Sequence, residues 1–215
     1  VLDGNKSNQT GGYPSYLAGF VSNTTASQDS STGVNTSGQT VSLPPMPVSA
    51  TTKVATGPGI IEGFEIKEIF NWPICLSGIQ DVIVQYNDIH DHNSSCQFFD
   101  ASERCQFNYN HVYNSPDGGF VFYRGNKYGI AMGNIVHDCS QGINSYAESD
   151  NFPLDMCITI SDNIVHSNIG TGIGITTSDG GASKTALQRQ RMLISNNVLY
   201  NNNTGNAIGQ GSIGI

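Results

Sequence analysis

The sequence predicts an all-β solenoid, a parallel β-helix, and three observations predict it. One phrase, Asn-x-aliphatic-His/Tyr, recurs five times: Asn87-Asp88-Ile89-His90, Asn110-His111-Val112-Tyr113, Asn134-Ile135-Val136-His137, Asn163-Ile164-Val165-His166 and Asn197-Val198-Leu199-Tyr200. The steps between the asparagines are 23, 24, 29 and 34 residues, the spacing of coils that each bury an apolar face only against their neighbours. Apolar columns flank every asparagine at intervals of two. Five residues before it stand Val82, Cys105, Gly129, Ile158 and Met192, three before it Val84, Phe107, Ala131, Ile160 and Ile194, and two after it Ile89, Val112, Val136, Val165 and Leu199. Two is the strand period, which points alternate side chains inward. Finally, no stretch carries the 3.6-residue apolar spacing over about 10 residues that a helical solenoid needs; residues 186–193 come nearest and are short and polar.

Each part of the coil has its own reason. The strand before the asparagine has a mixed position between its two inward columns (Ile83, Gln106, Ile130, Thr159, Leu193), which marks an outer face that is partly covered or simply tolerant. Asn87, Asn110, Asn134, Asn163 and Asn197 sit where the chain turns. Asparagine tolerates left-handed backbone and its amide can bond to the equivalent amide one coil away, so the five predict an Asn ladder. The His/Tyr column three positions on reads as rings stacked along the solenoid, because Tyr113 separates two of its histidines and Tyr200 ends it. That pattern suits ring stacking better than a metal site. About nine residues after each asparagine, with the coil length at about 22–25 residues, a second strand opens on glycine. It reads Gly119-Phe120-Val121-Phe122, Gly142-Ile143-Asn144-Ser145 and Gly172-Ile173-Gly174-Ile175, with a weaker Asn206-Ala207-Ile208. Gly63-Phe64-Glu65-Ile66 marks an earlier coil.

The organisation that follows is a first strand with a Ser/Thr/Pro-rich excursion over residues 1–57, then a β-helix over 58–215. The excursion is dense in Ser, Thr, Gly and Asn, passes through Leu43-Pro44-Pro45-Met46-Pro47, and has no core-forming period. The 215 residues allow one elongated domain of about seven or eight coils. The chain starts inside a coil-like phrase and stops at Gly214-Ile215 within another, so it reads as a piece of a longer protein.

Charge and cysteine usage narrow the partners. Charged residues make up 12% of the chain, with 9 basic against 17 acidic and a net charge of −8. Without a basic face, nucleic acid is not an expected partner. No run approaches 18 apolar residues, so no membrane-spanning helix is expected. Five cysteines occur without a Cys-x-x-Cys pair, which argues against structural zinc. Cys75 and Cys96, 21 residues apart, are candidates for a disulfide between coils, whereas Cys105 falls in an inward column and reads as a buried thiol. Sequons begin at Asn5, Asn8, Asn23, Asn35, Asn93 and Asn202; as candidate glycosylation sites they lean towards a secreted or cell-surface protein. No cofactor is expected. Calcium would need Asp-rich loops, and no Asp-x-Asp spacing supports it.

The Gly-Phe-x-Ile and Asn-x-[Ile/Val]-[His/Tyr] phrases, with the opening Val1-Leu2-Asp3-Gly4-Asn5, resemble the right-handed parallel β-helix proteins of the pectin-lyase-like superfamily. The resemblance covers roughly residues 58–215 and the first few residues. It implies a right-handed β-helix but is poor for activity, since that superfamily includes polysaccharide lyases, glycoside hydrolases, sugar epimerases, phage tailspikes and non-catalytic surface proteins. The Asn-Thr-Asp, Asp-Asp and Gly-His-Gly motifs of polygalacturonases are absent, as is the Asp-Pro-His of alginate epimerases, so no catalytic residue carries over.

The residues point to one sector for chemistry. The longer repeats gain their extra length after the glycine-led strand, at about 146–156 and 176–190, and loops emerging on one side of a solenoid make walls for a chain-like ligand. At that register lie Asp100 with Glu103, then Arg124, then Glu148 with Asp150. With coils about 4.8 Å apart, carboxylates two coils apart would stand roughly 10 Å from each other, near the wider spacing of inverting glycosidases. An arginine between carboxylates equally suits a lyase that neutralises a uronate. Tyr123, Tyr146 and Lys127 would add sugar contacts. The opposing reading is a surface salt ladder without catalytic meaning. Two functions are therefore expected: a secreted polysaccharide lyase or glycoside hydrolase, or a non-catalytic β-helix body of a fibre, stalk or tailspike, homo-oligomeric through an outer face.

Overall fold

The computed structural model describes residues 59–70, 72–99, 102–123, 125–148, 155–178 and 189–203, with the short strands Leu2–Asp3, Phe20–Ser22, Thr32–Val34, Thr40–Ser42 and Ser212–Ile213. Each coil has three faces. The first is a six-stranded parallel sheet of Gly59–Glu62, Val82–Gln85, Gln106–Asn108, Gly129–Met132, Asp155–Ser161 and Arg189–Ser195. The second runs through Glu65–Lys67, Asp88–His90, the starts of His111–Tyr123 and Ile135–Glu148, Ile164–His166 and Val198–Tyr200. The third stacks Ile74–Ser77, Cys96–Phe99, the ends of the same two long strands and Ile173–Ser178. His111–Tyr123 and Ile135–Glu148 therefore run unbroken round the second corner, with a register shift between Ser115 and Gly118.

The two-residue period delivers what the columns predict. Phe107 pairs with Val84 and Ala131, and Phe120 with Cys96 and Ile143. All six side chains are buried. Phe107 lies flat on Phe120 with ring centroids 4.1 Å apart, and Phe98 meets Phe120 edge-on at 5.1 Å, the offset and T-shaped arrangements aromatic rings prefer. Beyond the repeats, Leu2 pairs with Ile66 and Phe20 with Ile74, both in parallel, while Thr32–Val34 and Thr40–Ser42 form an antiparallel pair. The excursion thus contributes strands to the second and third faces.

The corners are left-handed at fixed places. Residues just before the ladder asparagines (Tyr86, Tyr109, Gly133, Asp162, Asn196) and just after the second face (Asp91, Asn114, Asp138, Ser167, Asn201) all have φ between 52° and 68°. Asp and Asn accept this conformation readily, but tyrosine does not. Tyr86 and Tyr109 offset it by stacking on each other at 5.3 Å. The Tyr109 ring in turn occupies the space beside Gly133, where an added Cβ would meet it at 2.4 Å.

The asparagines form a buried relay. Asn110 Oδ1 accepts from Asn87 N at 3.1 Å and from Asn87 Nδ2 at 2.9 Å, and Asn134 Oδ1 accepts from Asn110 in the same way. The row continues through Asn163 to Asn197. Each Nδ2 also donates to a carbonyl on the preceding coil, such as Phe107 O from Asn134 at 2.8 Å. Phe64, in the equivalent place one coil earlier, has no amide side chain, and its backbone N donates to Asn87 Oδ1.

The expected Cys75–Cys96 bridge does not form. Gln97, not Cys96, is the register partner of Cys75, so the two thiols project from opposite faces of one sheet. All five cysteines are thiols rather than disulfides. Cys96, Cys105 and Cys139 are buried, and burial pushes their thiols up, to about 11 for Cys105 and about 12 for Cys139, as desolvation of a thiolate requires.

Candidate functional site

The corner from third to first face was the sector expected to carry chemistry. Asp100, Arg124 and Asp150 lie outside the described residues, and Glu148 is described only as the last residue of its strand, paired with Ser178. Glu103 is placed: it bridges Gln80 and Lys127 through backbone, one coil to either side. It is ion-paired with the guanidinium of its own neighbour Arg104. Arg104 also grips Asp81 in a fork, Nε to Oδ1 at 2.7 Å and Nη2 to Oδ2 at 2.9 Å, and reaches Gln80 Oε1 at 3.1 Å. The same fork holds the Asp81 carboxyl below its usual range. Among the described charges of this corner, Glu103, Arg104 and Asp81 form a surface ion-pair cluster.

The aromatic part of the expected site is assembled. Tyr123 and Tyr146 are register partners at the end of the third face, their rings tilted with centroids 5.7 Å apart. Beyond the corner the first face holds a shallow groove of about 370 Å³. Tyr128, Ile130, Thr159, Arg191 and Leu193 line its outer side, with the Tyr128 ring and Leu193 more than half exposed. The sequence columns marked Ile130, Thr159 and Leu193 as outward; Tyr128 and Arg191 were missed because they precede the columns counted from the asparagines.

The second face carries the ring stack that the His/Tyr column predicts. His90, Tyr113, His137, His166 and Tyr200 stack continuously, with successive centroids 4.8, 5.2, 4.8 and 4.6 Å apart. Burial, then the neighbouring His137, lowers the His166 imidazole below its ordinary value. Glu65 binds Lys67 at 3.4 Å and His90 at 3.5 Å, and Asp91 binds His90 at 2.7 Å. His111 stands outside the stack, in the adjoining outward column. Its Nε2 comes within 2.9 Å of His137 Nε2, and its Nδ1 lies 3.0 Å from Asp88 Oδ1. That second approach is within ion-pair range, although its alignment falls short of a hydrogen bond. His137 Nδ1 meets Asp138 Oδ2 at 2.7 Å. The available signal was the second position of the repeated phrase, polar at Asp88 and His111 but apolar at Ile135, Ile164 and Val198. Among the described residues no group of three or more His, Cys, Asp or Glu side chains is arranged around a common metal position.

Two of the sequons lie in described backbone. Asn93 is partly exposed, and its backbone N bonds to Ile69 O at 3.1 Å. Asn202 belongs to a second, shorter ladder: its Oδ1 accepts from Asn168 Nδ2 and its Nδ2 donates to Val165 O, both at 2.9 Å. An amide engaged in this way is held from a glycosylating enzyme. Asn5, Asn8, Asn23 and Asn35 lie outside the described residues.

The coil geometry now meets a sequence comparison. A family model described as the right-handed β-helix region matches residues 18–188. The chain belongs to the right-handed β-helix family. The match agrees with the pectin-lyase-like resemblance and extends it into the excursion, where Phe20–Ser22 joins the third face of this β-helix. No curated protein sequence and no solved structure matches the chain. No helix among the described residues is long and apolar enough to cross a membrane.

Proposed function

We propose that this β-helix is a secreted or cell-surface carbohydrate-active protein that binds a polysaccharide along the corner between its third and first faces. The groove of about 370 Å³ carries this reading. It is open, it runs across several coils, and it combines the exposed Tyr128 ring and the apolar Ile130 and Leu193 with the exposed Arg191. Glycans need that mixture, an aromatic platform for the sugar faces and polar groups for the hydroxyls. The Tyr123–Tyr146 pair would extend the platform before the corner, with Lys127 between. In the lyase or hydrolase form of the proposal, Asp100, Arg124, Glu148 and Asp150 supply acid, base and charge neutralisation; Glu103 leaves that set because Arg104 holds it. The test is a polysaccharide panel scored by affinity electrophoresis, by ultraviolet absorbance of unsaturated products and by new reducing ends. Retarded migration that Tyr128→Ala and Arg191→Ala weaken at least about tenfold supports the binding site. No retardation and no products from the folded protein would remove it.

A specific observation favours a second reading. Ile60, Ile83, Ile130 and Leu193 form one outward column of the first face, with Ile60 and Leu193 about 60% exposed. A non-catalytic fibre, stalk or tailspike-like body would cover that column with a second copy of itself. Analytical ultracentrifugation separates the two: an oligomer dissolved by Ile60→Glu or Leu193→Glu favours the structural body, and a monomer opposes it.

A further inference from the structure

We infer that the contact between His111 and His137 is an acid-sensitive latch between neighbouring coils, tightened by the first proton the pair takes up and opened by the second. The two Nε2 atoms stand 2.9 Å apart, and an N–H···N bond holds one proton between its nitrogens. A neutral imidazole has one donor and one acceptor nitrogen, whereas an imidazolium has two donors. The surroundings decide which ring donates. His137 Nδ1 is hydrogen-bonded to Asp138 Oδ2 at 2.7 Å, and a carboxylate there places the ring's proton on Nδ1. His137 Nε2 is then the acceptor, so His111 donates from its own Nε2. That leaves a lone pair on His111 Nδ1, 3.0 Å from Asp88 Oδ1. Two acceptors make no bond with each other, and Asp88 Oδ1 is a buried oxygen without a hydrogen-bond partner.

Protons therefore arrive in order. The first goes to His111 Nδ1, where it meets the waiting Asp88 oxygen and leaves the Nε2–H on His137, now as a charge-assisted bond. The second has only His137 Nε2 to occupy, the atom on which that bond ends. Two imidazoliums present N–H to N–H, so the contact breaks. His111 is the ring that leaves. His137 is packed between Tyr113 at 5.2 Å and His166 at 4.8 Å and is held by Asp138, whereas His111 is tilted against Tyr113 and its side chain is 43% exposed. Beyond His137, the His166 imidazole is lowered by burial and then by His137, so imidazoliums side by side are disfavoured along this row. The other charges of the face are engaged elsewhere: Glu65 with Lys67, and His90 with Glu65 and Asp91. The backbone bonds His111 N to Asn87 O and Ile135 N to Asn110 O, each 2.9 Å, do not involve the rings. Opening therefore frees a side chain and adds positive charge to the second face while the coils stay stacked. None of these residues lies at the corner proposed for glycan binding, so the two readings stand or fall separately.

The test is nuclear magnetic resonance of the full chain labelled with ¹⁵N in histidine and in the backbone, acidified stepwise from about pH 8 to about pH 4. A scalar coupling between the two Nε2 nuclei reports the bond directly. It is expected at the alkaline end, is retained when the His111 Nδ1 signal moves to its protonated position, and is lost when His137 Nε2 follows. Asp88→Asn should keep the coupling and move the first step at least about half a pH unit lower. His111→Phe keeps a ring against Tyr113 and should leave His137 a single step with no coupling. His90→Ala, outside the pair, should change neither step. The backbone amide signals of Asn110 and Asn134 separate opening of the latch from unfolding. Absence of the coupling in the folded protein at the alkaline end overturns the inference. So does protonation of His137 Nε2 before His111 Nδ1, a coupling that persists with both rings protonated, or loss of the Asn110 and Asn134 signals before the coupling is lost.

Discussion

Asn134 Nδ2 donates to Asn163 Oδ1 at 2.9 Å across one coil, and every other rung of the ladder donates in the same direction. Within the row, the Oδ1 atoms of Asn110, Asn134 and Asn163 each take two bonds and their Nδ2 atoms each give two. Replacing one amide therefore affects two neighbours. In Asn134→Asp the carboxylate still accepts from Asn110, but it cannot donate to Asn163 or to Phe107 O, and it places charge where the residue is wholly buried. A loss of about 2–4 kcal/mol is expected from urea unfolding. An unchanged midpoint would show that the ladder is a consequence of stacking and contributes nothing to it.

Gly142 tests how closely the coils approach. A Cβ there would stand 2.1 Å from Gly172 O and 2.5 Å from Val165 Cγ1, so backbone has to move, whereas at Gly118 the nearest atom is 3.5 Å away. Gly142→Ala should destabilise by about 1–3 kcal/mol, with Gly118→Ala within about 0.5 kcal/mol of wild type. Equal effects at the two positions would contradict the coil spacing described above.

How much of this was legible depends on whether a property follows from period or from rotation. Inward columns such as Val84, Phe107 and Ala131 could be read because alternation alone decides which face a side chain occupies. The Cys75–Cys96 error shows the limit. The residues are 21 apart where the register step of that face is 22, and a one-residue slip sends a side chain to the other side of a sheet. Glu103 was matched to groups on other coils, while its partner Arg104 was the next residue, carried by a left-handed corner that no repeat announced. The His111–His137 contact depends on ring rotation between adjoining columns, which spacing does not encode. The Tyr128–Leu193 groove required knowing which outer residues face the same corner.

The buried thiols make stability fall on the alkaline side. Burial pushes the Cys105 thiol up to about 11 and the Cys139 thiol up to about 12, from the ordinary 9.0. The unfolded chain therefore loses these protons first. Their contribution is complete below pH 9 and declines above it, by about 1.4 kcal/mol per pH unit for each thiol until the folded value is reached. Urea midpoints at pH 8 and pH 10 should differ accordingly, and Cys139→Ala should reduce the difference. A thiol reagent should label Cys75 and Cys157 in the native state, with Cys96, Cys105 and Cys139 reacting only on unfolding.

On the acid side the ring stack predicts the opposite slope. Burial and His137 hold the folded His166 below the ordinary imidazole value of 6.5, so the unfolded chain takes up this proton first. The stabilisation is present above pH 6.5 and is lost as pH falls below it. His166→Phe keeps a ring between His137 and Tyr200 without the titration, and its melting temperature should change less than that of wild type between about pH 6.5 and 5.5. Parallel curves for the two proteins would exclude His166 as the source.

The stacked register itself is most directly measured between spin labels at Ile60→Cys and Leu193→Cys, with the partly exposed Cys75 and Cys157 replaced by serine. Both positions are exposed, and they are joined by register through Ile83, Gln106, Ile130 and Thr159, five coil steps in all. At about 4.8 Å per step a narrow distance distribution centred near 24 Å is expected. A broad distribution, or one centred beyond about 35 Å, would contradict a straight, in-register β-helix.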